Sequence, residues 1–562
     1  MDFKQVIADV IAAESGISAC DALDWLETPP NPEMGDYAFP CFKLAKQLRK
    51  APHQIAADLE KIIALPAGVE KVIADGPYLN FYLNKARLAE QVLQKVFSEG
   101  ERYGGSSMGG GRNVCIDYSS VNIAKPFHIG HLRSTVIGHA LYRIYEHMGY
   151  HCIGINHLGD WGTQFGKMIY AYQTWGCKED VEREGVAALV KLYVRFHEEA
   201  EKDERLNDAA RTWFKKIEDG DPEAVALYTW MKELTLREAA RVYEMLDIQF
   251  DSYAGESFYN DKMDRVVSEL QSKRLLNLDQ GAQIVDLSAW KMPPCIILRS
   301  DGATLYATRD IAAALYRKDT YDFDQCLYVV AYQQDLHFRQ WFKVIELMGY
   351  SWANRLTHVS FGMVSVNDGT LSTRKGKVIY LIDVLRAAVQ KTREIMAEKS
   401  PDLADVDAVA AQVGVGAVVW NGLYNGRIKD IVFDWDNVLN FDGETGPYAQ
   451  YTYARACSVL RKAQPAGAVD YSVLCDAEPS AVVAAIASFP DAVREAMEKN
   501  EPYLVSRAVI EICSAFNRFY YEQRIMADEP AVRNARLTLT KAAASVIKTG
   551  LNLIGLTAPE RM

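Results

Sequence analysis

The chain has 562 residues, of which 49% are hydrophobic and 24% charged, and its formal net charge is −12. This length predicts about two to four domains, and the composition excludes a disordered or fibrous protein. The acidic balance argues against a protein that coats nucleic acid, but a large enzyme with local basic faces is compatible with it. The ten cysteines form no CxxC pair and no short Cys/His cluster, so we expect reduced thiols, a cytoplasmic protein and no metal site.

Residues 1–110 are predicted to form a small α+β domain. The chain opens with an amphipathic helix that places Phe3, Ile7 and Val10 on one face, while charged residues interrupt the apolar run. This pattern is typical of a helix of the mature fold and not of a signal peptide. We find no apolar run near the roughly 18 residues that span a bilayer, so we expect no membrane association.

The rest of this domain combines basic and aromatic residues. Lys43, Lys46 and Lys50 cluster in a second helical stretch, and GPYLNFYLN (76–84) reads as an aromatic-rich strand. The glycine-rich segment 103–112 is predicted to be a linker.

A βαβ unit is predicted next. The β-rich segment 113–120 is followed by a polar turn, a helix over about 131–148, and a second strand that ends in polar and glycine residues at 151–162. Ligands of such sheets bind beyond the carboxyl ends of the strands, which is where the polar turn lies.

A charged segment over about 175–300 interrupts this α/β region and is predicted to be mostly helical. Strand-like stretches at 326–333 and 358–366 then indicate that the sheet resumes. Residues 386–440 are interpreted as a connecting segment, and 441–562 as a bundle of amphipathic helices rich in tyrosine and arginine.

The polar turn SSVNIAKPFHIGHLRS (119–134) carries the strongest functional signal. His128 and His131 share one face if they open a helix, and Gly130 lets a base or ribose approach the backbone. Lys125 and the amides of the helix N-terminus direct positive charge towards a phosphate. These groups suit a nucleoside triphosphate attacked at its α-phosphorus, because they stabilise the charge that grows on the phosphorus.

This turn resembles the HIGH signature of class I aminoacyl-tRNA synthetases, in the form found in arginyl-tRNA synthetases. Five further strings match the same family in the same order: NHLGDWGTQFG (156–166), YATRDIAAA (306–314), QQDLHF (333–338), TGPYAQYTYAR (445–455) and LTAPERM (556–562). The resemblance covers essentially the whole chain. It implies an α/β fold with a Rossmann-like catalytic domain over 111–385, between the small N-terminal domain and the C-terminal helical bundle.

The resemblance also implies a reaction. ATP, with Mg²⁺ expected, would activate L-arginine to arginyl-adenylate, and the arginyl group would pass to the 3′-terminal adenosine of tRNA(Arg). The family is known to need bound tRNA before the first step. No tightly bound cofactor is implied, and we expect a monomer.

Candidate ATP-binding residues follow from the two class I signatures. Besides the four residues of the polar turn, the resemblance points to His337 in QQDLHF. The usual KMSKS loop is replaced by LSTRKGK (371–377), and Lys125 fits the family's exchange of the lost lysine for one before HIGH. The loop candidates are Arg374, Lys375, Gly376 and Lys377.

A guanidinium prefers forked carboxylates, and the sequence offers two candidates. The resemblance places Asp117, Tyr306 and Asp310 around the guanidinium of arginine, and Asn122 and Gln334 at its α-amino and carboxylate groups. The family usually has glutamate where Asp117 stands, so this contact is expected to pass through water. Such a pocket rejects other amino acids without an editing domain.

Contacts to tRNA are expected at both ends of the chain. Unstacked RNA bases are read by aromatic faces and edge hydrogen bonds, although tyrosines at helical spacing are also common core residues. Phosphate contacts are expected from the lysines of the N-terminal domain. The candidates by resemblance are Tyr78, Asn80, Tyr451, Arg455, Arg461, Phe519, Tyr520 and Met562.

Three alternatives stay open. A nucleotidylyltransferase for a smaller substrate shares the HxGH chemistry but needs fewer residues and no helical bundle. A catalytically silent tRNA-binding relative is disfavoured because Lys125, His128, His131 and Asp310 are all present. Cysteinyl or glutamyl specificity would need a zinc site or basic groups facing the side chain, and neither is evident.

Overall fold

The computed structural model describes residues 3–29, 31, 34–123, 125, 127–300, 302–366, 379–400 and 403–562. The strands are β1 (Tyr37–Pro40), β2 (Val69–Asp75), β3 (Tyr78–Leu83), β4 (Asn113–Asp117), β5 (His151–Ile155), β6 (Asn277–Asp279), β7 (Ala282–Val285), β8 (Cys295–Leu298), β9 (Gln325–Tyr328), β10 (Leu356–His358), β11 (Val364–Val366) and β12 (Ile431–Phe433). The helices are α1 (Phe3–Ser15), α2 (Ala19–Trp25), α3 (Ala45–Leu48), α4 (Pro52–Ile62), α5 (Lys85–Glu99), α6 (Leu132–His147), α7 (Thr163–Trp175), α8 (Lys178–Glu184), α9 (Val186–Ala200), α10 (Arg205–Glu218), α11 (Pro222–Met245), α12 (Met263–Ser272), α13 (Tyr306–Tyr321), α14 (Asp335–Leu347), α15 (Leu381–Lys399), α16 (Val406–Leu423), α17 (Trp435–Val438), α18 (Gly446–Lys462), α19 (Ala477–Lys499), α20 (Tyr503–Glu522) and α21 (Pro530–Leu553).

One unit of the fold consists of Met1–Tyr103, Ala456–Ser488 and Glu511–Val546. Its antiparallel sheet has the order β1-β3-β2. The apolar face of α1 packs into the core of this sheet through Phe3 and Ile7, as the helical spacing predicted. The predicted N-terminal helix and the aromatic strand are confirmed by α1 and β3.

The second unit consists of Gly104–Arg455, Phe489–Ile510 and Ile547–Met562 and contains the predicted βαβ unit. Its parallel sheet has the order β10-β9-β4-β5, and α6 connects β4 to β5. The register pairs Asp117 at the end of β4 with Ile155 of β5 and Tyr328 of β9. Three strands therefore end at one edge of the sheet, and the residues that follow them are brought together there.

Residues 175–300 are less uniformly helical than the sequence predicted. Helices continue to Ser272, but β6, β7 and β8 then form an antiparallel sheet. Gln280 and Gly281 join β6 to β7 with φ of 47° and 83°. Two residues with positive φ make the tight turn that suits a hairpin. The strands have three or four residues each and β6 is fully exposed, so they lack the long alternation that reveals a strand.

Helices dominate after residue 380, as predicted, and among the described residues of this region the short strand β12 pairs in parallel with β11. Among the described helices α16 alone is long and apolar enough to be a membrane-span candidate by length and composition. In the structure 61% of its residues are buried, which is typical of a core helix.

Candidate functional site

The carboxyl end of β4 leads into a strained turn. Ser119 and Ser120 both have positive φ, at 69° and 48°, which non-glycine residues rarely adopt. The Ser119 amide donates to Oγ of Ser134 at 3.0 Å, and its hydroxyl lies 2.8 Å from the hydroxyl of Tyr243. These contacts with α6 and α11 hold the turn in place, so the chain leaves the sheet edge in a fixed direction.

The two histidines of the turn lie against each other at the start of α6, with ring centroids 4.1 Å apart. Nδ1 of His128 accepts a hydrogen bond from the Gly130 amide at 3.0 Å, so the neutral ring carries its proton on Nε2. A Cβ on residue 130 would lie 2.7 Å from the His128 ring, so a larger residue here would force this ring to shift. The spacing of the HIGH motif thus builds a compact pair of imidazoles.

Both imidazoles are neutral near pH 7. Burial lowers the pKa of His128 below its ordinary value. Burial, followed by the neighbouring His128 and Lys125, lowers the pKa of His131 to about 4. Lys125 is exposed, and its positive charge contributes to the lowered pKa of His131. The other phosphate candidates, Arg374, Lys375, Gly376 and Lys377, lie outside the described residues.

Asp310 lies in the second turn of α13, one turn after Tyr306. Its Oδ2 is 2.6 Å from Nε2 of His337 on α14. Tyr306 is 67% exposed, and Gln334 is also exposed, in the short turn that precedes α14. The structure therefore brings Asp310 and His337 together and leaves the Tyr306 ring open to a ligand.

Asn122 is exposed beyond the end of β4 and lies beside Gly159, which follows β5. A Cβ at position 159 would come within 2.4 Å of Oδ1 of Asn122. A larger residue at position 159 would therefore force the Asn122 side chain to move.

Asp117 differs from the sequence-based expectation, because it is paired within the protein. Its Oδ2 accepts a hydrogen bond from Nη2 of Arg317 at 2.7 Å, and its Oδ1 accepts one from Oγ of Ser120 at 2.8 Å. The Asp117 and Arg317 side chains are only 7% and 1% exposed. Where the sequence suggested a water-mediated contact to substrate, the structure has a buried ion pair.

Two further ion pairs near the sheet edge were missed by sequence reasoning. Asp160 is fully buried and bonds to Lys232 at 2.5 Å and to the Ser257 hydroxyl at 2.7 Å. Glu256 lies 3.6 Å from Arg309. Burial raises the pKa of Glu256 to about 7; Arg309 opposes this shift, and Asp310 and Asp160 add to it.

His157 lies just after the end of β5, and its pKa is affected by several of these charged residues. Burial lowers its pKa, while the carboxylates of Asp117, Asp310 and Asp160 act in the opposite direction. Arg317, whose Nη2 lies 3.5 Å from Nδ1 of His157, acts on this pKa in the same direction as burial. His157 and Asp160 come soon after the end of β5. Because ligands bind beyond the carboxyl ends of parallel strands, the sequence could have predicted both as site residues.

The tRNA candidates differ in accessibility. The Arg455 guanidinium lies over the ring of exposed Tyr451, with its carbon 4.9 Å from the ring centroid. Arg461 and Tyr520 are exposed, and half-buried Tyr78 packs edge-on against Phe42.

Two tRNA candidates are not available in this structure. Asn80 is 2% exposed, because it lies in the central strand β3 beneath the Gly35 loop. Phe519 is fully buried, as is usual for an aromatic residue at helical spacing. Met562 is half-buried and packs against the cluster that contains Val409.

Within the described ranges, no group of three or more His, Cys, Asp or Glu side chains is arranged to hold a metal ion. The residues near the sheet edge combine neutral imidazoles and a lysine with several carboxylates. Such a site can place donors on a phosphate and acceptors on a cation.

Three family models match the chain. They are "Arginyl tRNA synthetase N terminal domain" over residues 1–83, "tRNA synthetases class I (R), catalytic domain" over residues 92–435, and "DALR anticodon binding domain" over residues 449–562.

Full-length relatives agree with these models. The arginine–tRNA ligases of Alkaliphilus metalliredigens and Clostridioides difficile are 52% and 53% identical to this chain over 564 residues, and each match covers 100% of both chains. The solved structure of Thermus thermophilus arginyl-tRNA synthetase matches with a TM-score of 0.84 at 25% identity, over 100% of this chain and 99% of that one. Because the family models, the full-length relatives and the parallel sheet with its HIGH turn all agree, the chain belongs to the arginyl-tRNA synthetase family of class I aminoacyl-tRNA synthetases.

Proposed function

We propose that the chain acts as an arginine–tRNA ligase, which uses ATP to activate L-arginine and transfers the arginyl group to the 3′-terminal adenosine of tRNA(Arg). Family membership supports the reaction. The choice of arginine rests on one observation, the charge balance around Asp310.

Three carboxylates near the sheet edge already have a permanent cation. Asp117 pairs with Arg317, Asp160 with Lys232 and Glu256 with Arg309. Asp310 contacts His337, whose imidazole is not a permanent cation, and no lysine or arginine of the described ranges forms an ion pair with it. A substrate guanidinium would complete this balance, because it offers Asp310 two parallel N–H donors.

The α-amino and carboxylate groups of arginine would be held by Asn122 and Gln334, which are exposed near the ends of β4 and β9. The Tyr306 ring, one helical turn before Asp310, would cover the guanidinium face. In this arrangement the substrate carboxylate is directed towards the HIGH turn.

The HIGH turn would hold ATP. An oxygen of the arginine carboxylate attacks the α-phosphorus, the bond from this phosphorus to the bridging oxygen breaks, and pyrophosphate leaves. His128 and His131 act as neutral N–H donors, and Lys125 supplies a full charge as negative charge grows on the phosphoryl oxygens. We propose that Mg²⁺ enters with the triphosphate and that Arg374, Lys375, Gly376 and Lys377 complete the phosphate contacts.

Binding of tRNA is proposed for both ends of the chain. Residues 1–110 would contact the tRNA elbow, and 441–562 the anticodon loop, in line with the N-terminal and DALR family models. Tyr451 beneath Arg455 offers an exposed aromatic face for an unstacked base. Arg461, Tyr520, Met562 and Tyr78 are further candidates. We also propose that the enzyme is a cytoplasmic monomer that does not associate with membranes.

ATP–pyrophosphate exchange tests the proposal, with each amino acid offered separately in the presence and absence of tRNA(Arg). Exchange that depends on arginine and on tRNA is expected. Citrulline, which has nearly the same shape as arginine but no charge, serves as the matched control and should be rejected, because it leaves Asp310 unpaired. Exchange with another amino acid, or equal exchange with citrulline, would refute the proposed specificity.

A further inference from the structure

The buried ion pair between Asp117 and Arg317 has no place in the contacts proposed so far. Arg317 lies on α13 seven residues after Asp310, so both side chains project from the same side of one helix. Both partners are almost completely removed from water. A lone charge at this depth is costly, so each member depends on the other.

Arg317 contacts residues at the ends of three strands. It donates to Asp117 of β4 and lies over the ring of Tyr328 of β9, with its guanidinium carbon 5.3 Å from the ring centroid. Its Nη2 is also 3.5 Å from Nδ1 of His157, which follows β5. One side chain thus fixes α13 against the edge of the sheet where the site is built.

We propose that Arg317 is a positioning residue, and that Asp117 acts on arginine through Arg317 and not by direct contact. This inference rests on the proposed function. Both carboxylate oxygens of Asp117 are already engaged, one by Arg317 and one by Ser120. A substrate guanidinium at the same carboxylate would bring two cations together in a site of low dielectric, where their repulsion is strong.

The pair also links the two halves of the site. Asp117 is two residues from the strained Ser119 turn that leads into HIGH, and Arg317 is two helical turns from Asp310. If the pair is broken, both the guanidinium acceptor and the phosphate donors shift. Displacements near 1 Å are enough to lower rates by about 100-fold.

A double-mutant cycle tests this role. Asp117→Asn and Arg317→Gln are prepared singly and together, because two neutral amides can replace the ion pair with a hydrogen bond. Arg317→Lys keeps the charge but loses the forked geometry. The control is Arg265→Gln on α12, which breaks an exposed ion pair with Asp319 of α13, the helix that carries Arg317. KM for arginine, KM for ATP, kcat and the preference for arginine over citrulline are measured by exchange in the presence of tRNA, with circular dichroism as a check of folding.

Each single variant is expected to raise KM for arginine by about 30-fold and to lower kcat by about 10-fold, since truncation of one partner leaves the other buried and unpaired. The double variant should return to within about 5-fold of wild type and keep its preference for arginine, because Asp310 makes the substrate contact. Arg317→Lys should be intermediate and the Arg265 control unchanged.

Three results would overturn the positioning role. The first is a double variant as impaired as Asp117→Asn alone, and the second is a double variant that has lost its preference over citrulline. The third is an Arg317→Gln variant that binds arginine more tightly because Asp117 has been freed. If Asp117→Asn and Arg317→Gln do not fold, the double variant and Arg317→Lys decide between the outcomes. A wild-type protein without arginine-dependent exchange would instead refute the proposed function itself.

Discussion

The carboxylate of Asp310 and the imidazole of His337 are 2.6 Å apart, and they join helix α13 to helix α14 at the carboxyl edge of the parallel sheet. Asp310 has a histidine as its ion-pair partner, whereas Asp117, Asp160 and Glu256 each lie beside an arginine or a lysine. This difference makes Asp310 the group whose substitution is most informative.

Asp310→Asn should raise KM for arginine by about 100-fold, because a charged hydrogen bond to the guanidinium is worth about 1.5–3 kcal/mol. KM for ATP should change by less than about 3-fold, since the phosphate donors are on a different element. Asp319→Asn, an exposed carboxylate on the same helix, is the control. Similar losses for arginine and ATP would contradict the assigned role. The measurement is tRNA-dependent exchange over a range of both substrates.

His131→Ala should slow adenylate formation at saturating arginine by about 100-fold or more, as expected for the loss of a donor to a developing phosphoryl charge. His151→Ala, an exposed histidine at the start of β5, should have no effect. Because the pKa of His131 is lowered to about 4, its imidazole stays neutral from about pH 6 to about pH 8. Single-turnover rates at saturating arginine should therefore show no transition from this histidine in that range.

The raised pKa of Glu256 predicts a pH dependence of arginine binding. Its carboxyl is neutral below pH 7 and gains a charge beside Arg309 and Asp310 above it. KM for arginine should therefore fall several-fold between about pH 6 and about pH 8, since the added charge attracts the guanidinium. In the Glu256→Gln variant KM for arginine should depend less on pH. If this variant has the same pH profile as wild type, Glu256 is not the group responsible.

The Glu256 carboxyl also makes the free energy of unfolding depend on pH. Its pKa rises from an ordinary 4.5 to about 7 on folding, so the folded state holds the proton more tightly between these values. The stabilising contribution is complete below 4.5 and is lost as pH rises through 7. Relative to wild type, Glu256→Gln should therefore gain thermal stability from about pH 5.5 to about pH 8, as measured by calorimetry.

Lys232→Met should destabilise the fold, because it leaves the fully buried Asp160 without its cation. The expected loss of unfolding free energy is about 3 kcal/mol. Lys215→Met, which removes an exposed pair with Asp219, should leave the denaturation midpoint unchanged. Equal midpoints for the two variants would mean that Asp160 is satisfied without Lys232.

Tyr451→Ala should raise KM for tRNA by about 10-fold, the usual effect of one lost stacking face. KM for arginine, measured at saturating tRNA, should be unchanged. A Tyr451→Phe variant keeps the ring beneath Arg455 and should behave as wild type. Aminoacylation over a range of tRNA concentrations separates these outcomes.

The local sequence predicted features that depend on neighbours along the chain. Spacing placed His128, Gly130 and His131 at the start of a helix, and the alternation of strand and helix predicted the parallel sheet. The apolar period of α1 was also sufficient to predict its buried face. In each case a periodicity of 2 or 3.6 residues carries the information.

The hairpin of β6 and β7 and the buried Asn80 were not predicted, because short strands and a covering loop leave no periodic signal. His157 and Asp160 could have been found, because they directly follow a strand beside β4. The family resemblance predicted that Asp117 contacts the substrate, whereas in the structure Asp117 forms an ion pair with Arg317.

By itself, the sequence determined the family and the reaction and predicts the phosphate donors, since all three depend on motifs of contiguous residues. Only the tertiary structure decided which carboxylates pair with lysine or arginine. The pairs Asp117–Arg317 and Asp160–Lys232 join residues 200 and 72 positions apart. Coulomb interactions depend on distance in space and on burial, and neither can be read from the order of residues along the chain.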